Sequence, residues 1–393
     1  MLEPPLLPFA ATTEVAGVLT DLFVVLLAAK LGDELFKRIG QPALVGEILA
    51  GVIVGPSVLG LVEVGEVLEV FAELGVIFLL FWVGLETRVS EMREVGRTAI
   101  SVGTAGVALP FAGGIALGIA LGESTATSIF LGAALAATSV GITSAVLIDL
   151  GMIRTRAART VLGAAIIDDI LALILVAVAT GIAAEGGLDL VELMVVAGLA
   201  LSFVAFFALG GTRLMAQRPQ ILKEPRFAES PLLPAVILCL GVAAFASQIG
   251  LAAIIGAFLA GLMVAETKEQ HPIEDEVAPL YAFFPPFFFA FIGIELDLGA
   301  LLDGETLALL ALVTGVAAAT KLAGAWIGAR GLERREAWIV AVGMIPRGEV
   351  GIIVASIGAA AGVIDAQLFA VIVAMSIATA VAVPAALRRL GSR

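Results

Sequence analysis

Apolar residues run along this chain in long, unbroken stretches separated by short polar connections. Thirteen stretches of helical length can be marked: 15–36, 42–61, 67–86, 98–121, 127–148, 160–183, 191–211, 231–249, 251–266, 278–296, 305–329, 337–361 and 366–387. About 20 residues at 1.5 Å each cross a hydrocarbon core of ~30 Å. The stretches do not alternate apolar with polar, which excludes a membrane β-barrel. The expected fold class is an all-α polytopic membrane protein with 13 transmembrane helices. No connection is long enough for a separate soluble domain. The longest, TRLMAQRPQILKEPRFAES at 212–230, reads as a linker between two halves.

Composition agrees with the pattern. Hydrophobic residues make up 60% of the chain and charged ones only 15%, against about 25% charged in a soluble domain. The net charge is −13, and its placement matters more than its size. Lys30, Lys37 and Arg38 mark the end of the first stretch, Arg88, Arg93 and Arg97 the third, and Arg154, Arg156 and Arg159 the fifth. Arg213, Arg218, Lys223 and Arg226 follow the seventh, Lys268 the ninth, and Arg330, Arg334 and Arg335 the eleventh; Arg388, Arg389 and Arg393 close the chain. Connections on the opposite side carry acids alone, such as Glu63, Glu66, Glu123, Glu185, Asp189, Asp303 and Asp365. The positive-inside rule then puts the C-terminus in the cytoplasm and the N-terminus outside. Only Lys321 and Arg347 depart from this rule, because both fall inside apolar stretches.

Three segments recur at a nearly constant offset. GEILAGVIV at 46–54 aligns with GAFLAGLMV at 256–264, FLLFWVGLE at 78–86 with FFFAFIGIE at 287–295, and SVGI at 139–142 with EVGI at 349–352. Stretches 1–6 therefore correspond to 8–13, with stretch 7 as a linker helix. Six crossings return the chain to its starting side, so the odd seventh reverses the second copy. Two inverted six-helix repeats are expected, an arrangement found in transporters whose sites lie at the bilayer midplane between broken helices.

Ionisable groups at that depth are costly and mark function. In AAIIDDILALILV at 164–176, Asp168 and Asp169 stand side by side. Asp168 lies nine residues past Arg159, and Lys321 nine residues before Arg330, so both sit ~13 Å from the same surface. A buried acid and base at one depth should pair, since each alone would be forced neutral. Adjacent helical residues are rotated by about 100°, so one acid is left to bind a small cation or a proton. Hard cations take oxygen ligands. The blocks ALAATSVGIT at 134–143 and GMIPRGEVGI at 343–352 occupy matching places in the two repeats. Pro346 and Gly348 predict an interruption there, and two interrupted helices meeting at the midplane would present opposite dipole ends. Arg347 and Glu349 either neutralise those ends beside the ion or form a structural pair.

Other polar groups change the picture less. Glu47 and Glu73 read as interhelical hydrogen-bonding groups, with the lining of an access funnel as the alternative, Asp21 as solvated near the outer surface, and His271 as a surface residue of a cytoplasmic loop. The lone Cys239 excludes an intramolecular disulfide. The N-terminus lacks a basic leader region, so no cleaved signal peptide is expected. No nucleotide-binding glycine loop, zinc spacing or hydrolase triad occurs.

These motifs, with QPALVGEILAGVIVGP at 41–56, the Asp168–Asp169 pair, ATSVGIT, Lys321 and PRGEVG, resemble the bacterial sodium/proton antiporters of the second cation/proton antiporter family over nearly the whole chain. The resemblance implies a non-enzymatic, multi-pass protein of the bacterial cell membrane that exchanges Na⁺ or Li⁺ for H⁺ by alternating access. It needs no cofactor, binds no nucleic acid, and works as a homodimer among membrane lipids. It implies a dimerisation panel of 1–92 and 231–300, and a transport core of 93–185 and 301–393. Residues 186–230 hold the linker helix and cytoplasmic linker, and stretches 5 and 12 cross. It makes Asp169 the carrier of ion and proton, Asp168 the partner of Lys321, and Thr138 and Ser139 part of the Na⁺ path with both aspartates. Arg347 and Glu349 stand near the crossing. Some relatives carry a C-terminal nucleotide-binding domain; this chain ends six residues past its last stretch, so that form of regulation is not expected here.

Rival readings remain within and beyond this fold. A potassium/proton antiporter or a sodium-coupled symporter would look alike in sequence. An intramembrane aspartyl protease needs carboxylates converging on one water, whereas adjacent residues of one helix diverge. A buried Lys–Asp pair also argues against a passive channel.

Overall fold

The computed structural model describes residues 9–39, 43–87, 89–183, 190–218, 230–267, 273–296, 298–299 and 303–391. All regular structure among them is helical. The first half comprises α1 (Phe9–Arg38), α2 (Ala43–Val54), α3 (Glu66–Leu85), α4 (Val89–Leu121), α5 (Thr125–Ala136), α6 (Val140–Asp149) and α7 (Arg156–Ala183). A connecting unit follows: α8 (Leu190–Ala205), one π-helical turn at Phe206–Gly211, and α9 (Thr212–Gln217). The second half begins with α10 (Leu232–Gln248), α11 (Ala253–Ala265), α12 (Ile273–Phe283) and α13 (Pro285–Ile294). It ends with α14 (Gly304–Gly328), α15 (Arg334–Gly343), α16 (Glu349–Ala360) and α17 (Ala366–Gly391). Among the described residues, eight stretches are long and apolar enough to cross a membrane, and four shorter apolar helices accompany them.

Where boundaries depart from the apolar pattern, backbone chemistry explains the difference. The stretch 42–61 is helical only to Val54, because Gly55 and Pro56 follow and Gly60 turns the chain at φ +58°. The stretch 278–296 is split into α12 and α13 at Phe284, where Pro285 and Pro286 open the second helix in the positions that tolerate a missing amide. The stretches 127–148 and 337–361 are each broken in the middle, at 137–139 and 344–348. The N-terminal end of α14 is capped by Asp303, whose carboxylate accepts hydrogen bonds from the Thr306 hydroxyl and from the amides of Glu305 and Thr306. Those bonds hold this carboxyl below its usual range.

Packing sorts the helices into two groups. In one, α1 lies on α2, α2 and α3 pack on α13, α3 on α11, and α11 on α10. In the other, α4 is the hub for α5, α7 and α14, and α17 packs on α14, α15 and α16. Lighter contacts of α2 and α3 with α6, and of α2 with α17, join the groups. A buried apolar cluster lies inside each: Val25, Ala29, Val54, Leu68, Phe287 and Ile294 in the first, and Phe130, Leu131, Leu135, Val371 and Met375 in the second.

Between apolar helices in lipid, close backbone approach replaces the hydrophobic drive. At the α2–α13 crossing, a Cβ added at Gly51 would lie 2.0 Å from the Ala290 carbonyl oxygen, and one at Gly293 would lie 2.0 Å from that of Ile48. Neither neighbour is a movable side-chain tip. Gly51→Ala should therefore cost more than the ~1–3 kcal/mol usual for overpacking and lower the melting temperature in detergent. Gly198→Ala, with open space around it, should be neutral or slightly stabilising. Equal melting temperatures for the two variants would contradict the crossing.

Candidate functional site

The two broken helices meet. The amide of Ser139, at the first break, donates to the Pro346 carbonyl in the second at 2.8 Å. The Thr143 hydroxyl donates to the Gly343 carbonyl at 2.6 Å. Gly348 faces Ser139 so closely that an added Cβ would stand 2.6 Å from its Oγ, so the second break admits only glycine there. Ser139 also caps α6, its hydroxyl accepting from the Ile142 amide at 3.4 Å.

Two cations close the other side of the first break. Carbonyls at the C-terminal end of a helix carry partial negative charge and lack intrahelical donors. At the end of α5, Ala136 O accepts from Lys321 Nζ at 2.5 Å and Ala137 O from Arg347 Nη1 at 3.0 Å. Arg347 Nη2 also donates to Ala317 O of α14 at 3.1 Å, and its backbone amide to Thr379 Oγ1 of α17 at 3.0 Å. Both cationic side chains are fully buried. The side chain of Glu349, first residue of α16, lies outside the described residues, so an Arg347–Glu349 pair does too.

Lys321 Nζ donates to Asp168 Oδ1 at 2.6 Å, with neither side chain exposed. The second Asp168 oxygen and Thr138 Oγ1 are buried without a hydrogen-bond partner among the described residues. Such atoms are expensive to bury unsatisfied, and both are oxygens suited to a hard cation. Asp169 is 5% exposed. It lines a cavity of about 20 Å³ with Leu80 of α3, Val140 of α6, Leu162, Ala165 and Ile166 of α7, and Ile254, Ile255 and Phe258 of α11. That is room for about one water-sized occupant. Among the described residues Asp169 is the one ionisable group in its wall, and the wall is shared by both helix groups.

The structure thus brings Asp168, Lys321, Arg347 and Ser139 together at the crossing. The spacing of charges did not reveal Thr143, Thr379 or the carbonyls of Ala136, Ala137 and Ala317. Thr143 was legible as the residue one helical turn beyond Ser139, whereas backbone carbonyls leave no trace in a sequence. Away from the site, Glu47 is buried and reaches Lys30 at 3.5 Å, joining α1 to α2. Glu73 is exposed on α3, so interhelical hydrogen bonding does not describe it.

A buried ion pair is strongly destabilising to break from one side only. Lys321→Ala should cost about 3–5 kcal/mol and lower the melting temperature. Adding Asp168→Asn should recover part of that loss. Strictly additive losses in this double-mutant cycle would mean that the two groups do not interact.

The family model described as "Sodium/hydrogen exchanger, transmembrane" matches residues 22–390. The chain is 37% identical to the Na(+)/H(+)-K(+) antiporter GerN of Bacillus cereus over 94% of its own length and 95% of that protein. It is 34% identical to the high-affinity Na(+)/H(+) antiporter NhaS3 of Synechocystis over 98% and 95%. Among solved structures, the sodium proton antiporter MjNhaP1 of Methanocaldococcus jannaschii shares the fold, with a TM-score of 0.69 at 18% identity over 95% and 97% of the two chains. The chain belongs to the transmembrane sodium/hydrogen exchanger family.

Proposed function

We propose that this protein is a secondary active antiporter that exchanges cytoplasmic Na⁺ or Li⁺ for external H⁺, with Asp169 carrying both in turn. The observation that carries the reading is the placement of Asp169. It sits in a small cavity on the boundary between the helix groups, while its neighbour Asp168 is held by Lys321. One carboxylate can hold a proton or a cation, so loading one ejects the other. With Na⁺ present, the second Asp168 oxygen and the Thr138 hydroxyl supply further oxygen ligands, and Ser139 borders the path.

The architecture follows from the same reading. Thirteen membrane-spanning segments form two inverted six-helix repeats joined by the linker helix. The offset of 209–210 between the aligned segments supports this, because the helices after the two breaks, α6 from Val140 and α16 from Glu349, start 209 residues apart. The panel consists of 1–92 and 231–300, the core of 93–185 and 301–393, and 186–230 joins them. The core moves against the panel to give alternating access, and the panel makes a homodimer. The protein lies in the bacterial cell membrane with its N-terminus outside and its C-terminus in the cytoplasm. Potassium is the second reading, favoured by the K(+) in the name of the Bacillus cereus relative.

Proteoliposomes with an imposed pH gradient, challenged in turn with Na⁺, Li⁺ and K⁺, test the assignment. Asp169→Asn keeps the shape and removes the charge, so exchange should vanish while the melting temperature holds. Normal exchange in that variant would remove Asp169 from the cycle.

Charge counting extends the scheme. When Na⁺ draws Asp168 away from Lys321, the ammonium is left buried and unpaired, a state so costly that it gives up its proton. Asp169 and Lys321 then release two protons for one sodium ion, and exchange is electrogenic. One net charge moving through the membrane potential is worth ~2.3 kcal/mol per 100 mV. Valinomycin with K⁺ should therefore accelerate Na⁺-driven proton movement. A rate indifferent to that shunt, with no signal from a voltage dye, would establish one-for-one exchange.

A further inference from the structure

The hairpin between α14 and α15 carries a spacing that transport does not use. In WIGARGLERREAW, residues 326–338, Trp326, Arg330, Arg334 and Trp338 follow one another at intervals of four. Residues four apart lie on one helical face, so Arg334 and Trp338 share a face of α15, while Arg330 lies in the turn just past the end of α14 at Gly328. The Arg330 guanidinium stands 5.3 Å from the centre of the Trp326 ring, and the two indoles are 6.3 Å apart across the hairpin. These are two of the three tryptophans in the whole chain. Trp326 and its neighbour Ile327 are 37% and 40% exposed.

Ion pairing does not explain the two arginines. Both are exposed, and neither has an ion-pair partner among the described residues. Arg334 occupies the first position of α15, where the helix macrodipole disfavours a cation. Arg335 is committed to the carbonyls of Leu390 and Gly391 at 3.0 and 2.8 Å, which fixes the hairpin to the end of α17. The last turn of α17 adds Arg388 and Arg389 to this corner. Against them stand exposed Glu333 and half-buried Glu336. In a chain of net charge −13, this is a concentrated positive surface.

We infer that the α14–α15 hairpin binds the headgroup of an anionic phospholipid, with Arg330 and Arg334 on the phosphate and Trp326 and Trp338 in the interfacial layer beneath. The geometry matches a membrane surface. Four residues of α15 separate Trp338 from Arg334 by ~6 Å along the helix, and the Arg330 guanidinium lies over Trp326, the relation between phosphates and the aromatic belt. Guanidinium groups bind phosphate through paired donors. A soluble polyanion has no use for an exposed Trp326 and Ile327, whereas a lipid's glycerol and upper chain cover them. The inference needs only that α14 spans the membrane, and it stands whichever cation is carried.

Bromine on lipid chains quenches indole fluorescence on contact. The full chain with Trp82→Phe, in nanodiscs of phosphatidylcholine, leaves Trp326 and Trp338 as reporters. Brominated phosphatidylglycerol should quench them at a mole fraction on the order of tenfold lower than brominated phosphatidylcholine, since each arginine near an anionic surface adds several-fold. The preference should fall in Arg330→Gln and in Arg334→Gln and vanish in the double variant, while Arg97→Gln leaves it unchanged. Each single variant is read separately, so poor folding of one leaves the other to decide. Equal quenching by the two lipids, or a preference that survives loss of both arginines, would overturn the inference. A fluorescence response to millimolar inorganic phosphate in lipid-free detergent would assign the corner to a soluble anion and overturn it as well.

Discussion

A charge taken out of water must find an opposite charge or a set of dipoles, and the centre of this protein is arranged around that requirement. Lys321, Arg347 and Asp168 are all fully buried, each at a cost of several kcal/mol if left alone. Two broken helices answer the problem. Breaking α5 from α6 frees carbonyls that would otherwise serve the helix, and these become ligands for the two cations. The crossing and the ion pair are therefore one structure. The breaks supply the dipoles that make the charges tolerable, and the charges neutralise the helix ends that the breaks expose.

That coupling explains what could be read in advance. Counting residues from Arg159 and Arg330 put Asp168 and Lys321 at one depth, because helical rise is constant and basic residues mark the surface. Pro346 and Gly348 announced the second break, whereas the first, at 137–139, has neither residue type and was legible only through the repeat. Pro56 and Pro285 carried the same information about α2 and the α12–α13 join, but apolar windows average over single prolines. The partners of Arg347 were hidden for a different reason. They are carbonyls of Ala137 and Ala317, and alanine carbonyls look alike until the fold selects some of them.

The two helix groups differ from their boundary in the same physical terms. At the α2–α13 crossing, backbone touches backbone through Gly51 and Gly293, a contact without adjustable parts. At the boundary, the cavity beside Asp169 is walled by branched and aromatic side chains such as Leu80, Ile254 and Phe258, which can change rotamer without moving a helix. Rigid contacts within each group and deformable ones between them are what a moving interface needs.

The Ser139–Pro346 hydrogen bond also bears on how the protein is made. It joins the first half of the chain to the second, as do Arg347 to Ala137, 210 residues apart, and Lys321 to Asp168, 153 apart. At about 5–20 residues per second, a ribosome delivers Asp168 on the order of ten seconds or more before Lys321. During that interval the first half waits at the membrane with an unsatisfied break and an uncompensated acid. A newborn chain stalled at its midpoint should therefore be a preferred target of membrane quality control, although every helix it has made is sound.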